Sequence, residues 1–318
     1  MKAAYIEIFA PEGNVKVGQI PTPEPGDGEV CIAVSYAGVN PADAKIAQGL
    51  FQSRMPHQFP LILGWEASGT VHSLGKHAAS LNKGDKVYLY CRKPIAQWGS
   101  WAEYLIFPAE HIAVKPKNLS MAEAAAVPLT GLTAWQALFE KAELKSGEQI
   151  LIHGGGGGVG GFAIQWAKCC GAKVLTTASS SKFEYVKSLH ADEIIDYRKT
   201  NFVDQIRKSH PSGIDVVFDT IGGSVYKQSF EVLKPGGRIV STLEQPDSDL
   251  ATRFKVRAEF LFVQPNGKQL REIAELFELG KAKPPKIQEF SLDQASQALN
   301  EINKGHTTGK IVLKVQNA

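Results

Sequence analysis

Gln149-Ile-Leu-Ile-His-Gly-Gly-Gly-Gly-Gly-Val-Gly-Gly161 decides the fold. A short apolar, strand-like run meets five consecutive glycines. The chain then takes up a helical period, with Val159, Phe162, Ala163, Trp166, Ala167 and Cys170 on one face. G-x-G-x-x-G fits Gly155, Gly157 and Gly160, and a second register fits Gly156, Gly158 and Gly161. The motif alone is weak, but directly after a strand and opening a helix it has the context it needs. Glycines let the backbone approach a pyrophosphate closely. The helix N-terminus adds free N–H groups and the positive end of its dipole. Gly155, Gly157, Gly158, Val159 and Gly160 are therefore expected to bind a dinucleotide.

Downstream, strands and helices alternate. Lys173–Thr177, Glu193–Tyr197, Asp215–Asp219 and Arg238–Thr242 read as strands, and Ala258–Val263 as a sixth. Helices are expected near Phe202–His210 and Ser224–Leu233. This alternation predicts an α/β domain with a doubly wound parallel sheet. Upstream, residues 1–122 hold short strands such as Val30–Tyr36 and Lys86–Tyr90, separated by Gly, Pro and Asp turns, which suggests a folded-over β-barrel. Met121–Phe139 is helix-prone but interrupted by Pro128 and Gly131. Leu270–Leu279 reads as a helix. Gly309–Val315 reads as a late strand able to rejoin the N-terminal part.

A site for NAD carries Asp or Glu about 20 residues beyond the glycines, where it binds the ribose hydroxyls. That place here reads Thr177-Ala-Ser-Ser-Ser-Lys182, with hydroxyls and a cation but no acid. An adenosine 2′-phosphate needs donors and positive charge. The expected cofactor is therefore NADPH, with Ser179 or Ser180 and Lys182 around the phosphate. Ser181 also reads as a helix cap.

The composition is that of an ordinary soluble globular protein: 318 residues, 43% hydrophobic and 21% charged. Its 35 basic and 32 acidic residues leave a net charge of +3, too small for a nucleic-acid footprint. The longest uncharged run, 149–167, holds seven glycines and is not a membrane span. Met1–Ile8 lacks the apolar core of a signal peptide. Cys31, Cys91, Cys169 and Cys170 form neither CxxC nor a metal spacing, which suits reduced thiols and a cytoplasmic location.

Several further motifs occur in order: Tyr36-Ala-Gly-Val-Asn-Pro-Ala-Asp43, Gly64-Trp-Glu-Ala-Ser-Gly-Thr-Val71, Gly84-Asp-Lys-Val87, Gly99-Ser-Trp-Ala-Glu-Tyr104 and Pro128-Leu-Thr-Gly-Leu-Thr-Ala-Trp135. Asp215–Asp219, Gly236-Gly-Arg-Ile-Val240 and Gly309-Lys-Ile-Val-Leu313 complete the set. With the glycine loop, they resemble the medium-chain dehydrogenase/reductase superfamily, specifically its zinc-free quinone oxidoreductase branch, over nearly the whole chain. The resemblance implies a GroES-like β-barrel domain from both chain ends, 1–122 and 264–318, with a Rossmann domain inserted at 123–263. It implies an active site in the interdomain cleft and a homodimer paired through a Rossmann edge strand, for which 258–263 is the candidate. It also places Thr130 and Thr133 toward the cofactor and Tyr197 against the adenosine phosphate.

Zinc enzymes of the superfamily use Cys, His and Cys ligands at positions matching Asn40, Trp65 and Leu129. None of these offers a thiolate or imidazole, so no metal is expected. Without a Lewis acid, hydride needs an acceptor that is already electrophilic, such as a quinone or an α,β-unsaturated carbonyl. Asn40 and Asp43 are the catalytic candidates. Asn40 also reads as a turn residue before Pro41, and Asp43 as a helix-start acid. Phe51, which stands where relatives often have tyrosine, joins Tyr90 and Trp98 as substrate-lining candidates. Glu66 reads as structural, and His153 as a packed strand-end histidine. Three functions follow in order: an NADPH-dependent quinone reductase, an enone or enoyl double-bond reductase, and a non-catalytic NADPH-binding sensor. The partner is a small electrophile, not a nucleic acid or a membrane.

Overall fold

The computed structural model describes residues 1–10, 14–78, 81–305 and 307–316. In chain order the first strands are β1 (Lys2–Ile6), β2 (Lys16–Gln19), β3 (Glu29–Val39), β4 (His57–Ile62), β5 (Glu66–Leu74), β6 (Lys86–Tyr90), β7 (Ala96–Trp98), β8 (Tyr104–Pro108) and β9 (Ile112–Val114). The α/β block holds β10 (Gln149–His153), β11 (Lys173–Ala178), β12 (Glu193–Asp196), β13 (Ile214–Asp219), β14 (Leu233–Ser241) and β15 (Arg257–Phe260). Two more, β16 (Ile287–Ser291) and β17 (Lys310–Lys314), close the chain. The helices that matter most are α1 (Pro41–Ala47), α2 (Met121–Ala125), α3 (Pro128–Trp135) and α4 (Gly158–Cys169).

Two compact units result: Met1–Leu129 with Gln264–Ala318, and Thr130–Val263. The first is the folded-over β domain. One sheet runs β2-β1-β4-β7. A larger one runs β16-β17-β3-β5-β6-β9, with β8 also paired to β3. The late strand does rejoin the N-terminal part, since β17 runs antiparallel to β3 with Leu313 opposite Ala37. Residues 123–129 belong to this unit, because α2 packs on β3 and β5.

The second unit is a six-stranded parallel sheet in the order β12-β11-β10-β13-β14-β15. This is the doubly wound order, which reverses between β10 and β13. Its central strands are buried on both faces, hence the continuous apolar runs of Ile150–Ile152 and Val216–Phe218. Of the expected apolar face of α4, Phe162, Ala163, Trp166 and Ala167 are buried while Val159 and Cys170 are half-buried, and Ile164 and Gln165 are buried as well, making the helix less one-sided than its period suggests. Phe162 stacks on Trp166 at 5.3 Å, and Trp166 Nε1 donates to the Gly131 carbonyl at 3.1 Å. Beyond α3 the chain widens into a π-helical turn, Gln136–Lys141, which the sequence did not announce. No described helix is long and apolar enough to cross a membrane.

Candidate functional site

The glycine run forms the turn from β10 into α4. Gly154 has φ +76°, in the left-handed region that glycine tolerates. Two other glycines are needed for close packing. A Cβ on Gly155 would stand 2.2 Å from Thr176 Oγ1, and one on Gly160 would stand 2.3 Å from the Gly154 carbonyl oxygen. Around Gly157 the space is open, its nearest neighbour being Gly154 O at 3.4 Å. Gly157 is also the N-cap of α4, and no side chain caps that end. The loop thus presents an uncapped helix N-terminus behind an unobstructed backbone, which suits a pyrophosphate.

Lys182 crosses this loop. A Cβ on Gly156 would lie 2.4 Å from its Cδ, so the glycine is what lets the lysine stem pass. Burial, and then the Arg198 charge, hold the Lys182 pKa below its ordinary value. Arg198 in turn lies 5.8 Å over the exposed Tyr197 ring. Ser179 is buried at the end of β11, with its Oγ 3.0 Å from Ser181 Oγ, and Ser180 is exposed beside it. The expected Ser179, Ser180, Lys182 and Tyr197 therefore surround one end of the glycine crevice. Arg198 belongs with them, although sequence reading passed over it. Two cations stand beside hydroxyls, with no carboxylate at the end of β11 itself, which suits a second phosphate; Asp196, opposite Ala178 at the end of β12, accepts from the Arg198 backbone N–H at 3.0 Å. Asp219, at the end of β13, is turned inward and accepts from Ile221 N, Gly222 N and Ser241 Oγ.

Thr130 and Thr133 are both buried on α3. His153 is a buried crosslink. Its Nδ1 sits 3.1 Å from Thr177 Oγ1 and its Nε2 3.0 Å from Ser229 Oγ. Burial pushes its pKa down to about 3, so the ring is neutral at physiological pH.

In the β unit, Asn40 and Asp43 meet Glu66 and Lys310, all buried. Asn40 is the N-cap of α1, and Asp43 Oδ2 accepts from its backbone N–H at 2.7 Å. Asp43 Oδ1 accepts from Gly64 N at 3.1 Å. Burial pushes the Asp43 pKa up to about 7, against those donors and the Lys310 charge. The Asn40 amide is held at both ends: Nδ2 donates to Glu66 Oε1 at 2.8 Å, and Oδ1 accepts from Lys310 Nζ. Lys310 Nζ also lies 2.6 Å from Glu66 Oε1, while Glu66 Oε2 accepts from Leu129 N at 2.8 Å. Gly38 leaves room for Glu66, as a Cβ there would stand 2.3 Å from Oε1. Lys310 was invisible as a site residue; its one signal was a lysine heading the apolar run Ile311-Val-Leu313.

The aromatic candidates gather on Trp65. Phe51 meets it edge-on at 5.9 Å and Tyr90 at 6.4 Å. Tyr90 is fully buried, and its hydroxyl has no partner in hydrogen-bonding geometry. Trp65 and the exposed Trp98 line a small recess in this unit, with Cys91 and Lys93 among its other walls. Among the described residues, no three His, Cys, Asp or Glu side chains gather to hold a metal ion.

The comparisons with known proteins agree with this architecture. Residues 26–117 match the alcohol dehydrogenase GroES-like domain, and 189–313 match the zinc-binding dehydrogenase family. The chain is 37% identical over 317 residues to a 2-methylene-furan-3-one reductase of Solanum lycopersicum, covering 97% of this chain and 76% of that one. It is 35% identical, with the same coverage, to a chloroplastic NADPH-dependent alkenal/one oxidoreductase of Arabidopsis thaliana. A solved quinone oxidoreductase from Coxiella burnetii superposes with a TM-score of 0.88 at 35% identity, over 99% of both chains. The chain belongs to the medium-chain dehydrogenase/reductase superfamily, in its zinc-free quinone oxidoreductase branch.

Proposed function

We propose that the protein is an NADPH-dependent reductase of conjugated carbonyl compounds, a class that includes both quinones and α,β-unsaturated ketones. The observation that carries this reading is the Lys182–Arg198 pair beside the glycine crevice, where an NAD-preferring site has an acid. The relatives named for alkenal/one, furanone and quinone reduction support the acceptor class.

The residues present fit NADPH. Gly155, Gly157, Gly158, Val159 and Gly160 would take the pyrophosphate on the N-terminus of α4. Ser179, Ser180, Lys182, Tyr197 and Arg198 would surround the 2′-phosphate. Thr130 and Thr133 would reach the nicotinamide ribose. When bound, NADPH supplies a hydride. Phe51 and Trp98, on either side of Trp65, would wall a flat acceptor away from water, with the fully buried Tyr90 packed behind Trp65 rather than lining the site. For Asn40 and Asp43, whose polar atoms are engaged inside the β unit, we propose a positioning role.

Asn40, Trp65 and Leu129 provide no zinc ligand, which supports a metal-free reaction. The place of β15 at the edge of the six-stranded sheet supports a homodimer joined through that strand. Cys31, Cys91, Cys169 and Cys170 stand as thiols rather than disulfides, which supports a cytoplasmic location.

NADPH deuterated at both C4 positions tests the reading. One deuterium should appear per turnover on the β-carbon of a reduced α,β-unsaturated ketone. Solvent hydrogen at that carbon would rule out direct hydride delivery.

A further inference from the structure

Five of the nine large hydrophobic side chains exposed among the described residues lie together on the β unit: Ile8, Leu50, Phe59, Ile95 and Trp98. Local contacts join the segments that carry them. The Phe9 ring, next to Ile8 in the chain, meets Phe59 at 5.0 Å and His57 at 4.5 Å. Ala10 N donates to Ala47 O at 3.1 Å, and a Cβ on Gly49 would stand 3.1 Å from Phe9 Cγ, which brings Leu50 to the same place. On the other side, Ala96 lies opposite His57 in the pairing of β7 with β4, and its N–H donates to the Pro56 carbonyl at 2.9 Å. Ile95 and Trp98 extend the patch from there. A contiguous exposed apolar patch with a polar rim marks an interaction site. Two of the segments that build it carry charge of one sign. Residues 44–65 and 91–102 hold no Asp or Glu, although the whole chain has 32, and they hold Lys45, Arg54, Arg92 and Lys93. Leu50 N donates to Lys45 O at 2.9 Å, Arg54 lies 5.6 Å over the Phe51 ring, and Lys93 borders the small recess with Ile95 and Trp98. Glu7, the carboxylate next to Ile8, is already paired with Lys16. The near balance of 35 basic and 32 acidic residues over the chain conceals this local excess.

We propose that this patch docks the protein peripherally on an anionic lipid bilayer. The apolar tips enter the boundary between headgroups and acyl chains, with the Trp98 ring at headgroup level. The cations, whose stems lie along the apolar surface, reach the lipid phosphates and carboxylates. An acidic peptide would answer the cations and leave the apolar tips in water. A neutral apolar partner would do the reverse, whereas an anionic bilayer answers both. The expectation of no membrane partner followed from the lack of a spanning run and does not bear on a surface contact. Phe51 and Trp98, the acceptor walls named above, lie in the same segments, so a lipophilic acceptor would be taken up from the bilayer at this patch. That consequence rests on the reductase reading; the docking itself does not.

The test is co-sedimentation of the full chain with vesicles of phosphatidylcholine alone and of phosphatidylcholine with about 30% phosphatidylserine. The wild type should bind the mixed vesicles at least about tenfold more tightly than the neutral ones, and should lose that preference as salt is raised. Lys45→Gln with Arg54→Gln should weaken binding to the mixed vesicles about tenfold. Ile8→Ser with Leu50→Ser and Ile95→Ser should weaken it at least as much, and thermal melts check that both variants are folded. No binding of the wild type to mixed vesicles, equal binding to neutral ones, or unchanged binding by the Ser variant would overturn the proposal. Vesicle binding that poly-glutamate abolishes and the Ser substitutions leave intact would identify an acidic partner instead. A smaller mass of the lipid-free Ser variant in sedimentation velocity would identify a second copy as the occupant and would likewise overturn it. Docking by a wild type that reduces neither a quinone nor an enone would support the docking surface and remove the reductase reading.

Discussion

Lys310 Nζ lies 2.6 Å from Glu66 Oε1, and both side chains are closed off from water. The pair joins the last strand of the chain to β5. Through Asn40 and the Leu129 N–H it also fixes two of the three positions where zinc relatives carry ligands. A buried ion pair is dangerous to halve, because the remaining charge has no partner. Lys310→Met should therefore cost about 3–5 kcal/mol in urea unfolding. Lys310→Met with Glu66→Gln should recover much of that loss. Equal losses in the single and double variants would mean that the pair does not act as a unit.

The two cations at the glycine crevice make a selectivity prediction. Lys182→Ala and Arg198→Ala should each weaken NADPH binding about 10- to 100-fold, the scale of a lost charge-assisted contact. NADH binding should barely change, so the double variant should bind the two cofactors almost alike. Fluorescence titration with each cofactor measures this directly.

Neighbouring glycines should fail differently. Gly156→Ala meets only the flexible stem of Lys182. It should fold normally and bind NADPH about tenfold more weakly, by displacing that lysine. Gly160→Ala meets the Gly154 backbone, which cannot step aside. It should lose about 1–3 kcal/mol of stability. Thermal melts together with NADPH titrations separate the two effects.

His153 sets an acid sensitivity. Its folded pKa, about 3, lies below the ordinary 6.5, so the unfolded chain binds a proton that the native state excludes. Stability present above pH 6.5 is therefore lost as pH falls toward 3, by on the order of a few kcal/mol. His153→Leu should be less stable at pH 7 by about 1–2 kcal/mol, having lost its bonds to Thr177 and Ser229. Its stability should nevertheless vary less between pH 6.5 and 4. Urea midpoints across that range check the slope.

The Rossmann half was legible because its signals are local. The strand Gln149–His153 matches the structure residue for residue, and the glycines announce the turn that follows. Lys182 was legible as a cation in place of an acid. Arg198 was not, because what brings it to Lys182 is the parallel pairing of β11 with β12, a long-range event. Lys310 and Glu66 are 244 residues apart, and no spacing rule connects them. The family resemblance pointed to Asn40 but could not show that Lys310 and Glu66 hold its amide.

The most direct test of the central claim is NADPH oxidation by chelator-treated protein, with NADH as the comparison and a quinone and an α,β-unsaturated ketone as acceptors. The account predicts turnover of at least one acceptor with NADPH, a clear preference for NADPH over NADH, and no loss of rate after chelation. Equal use of NADH, a requirement for added zinc, or tight NADPH binding without reduction of either acceptor would contradict it.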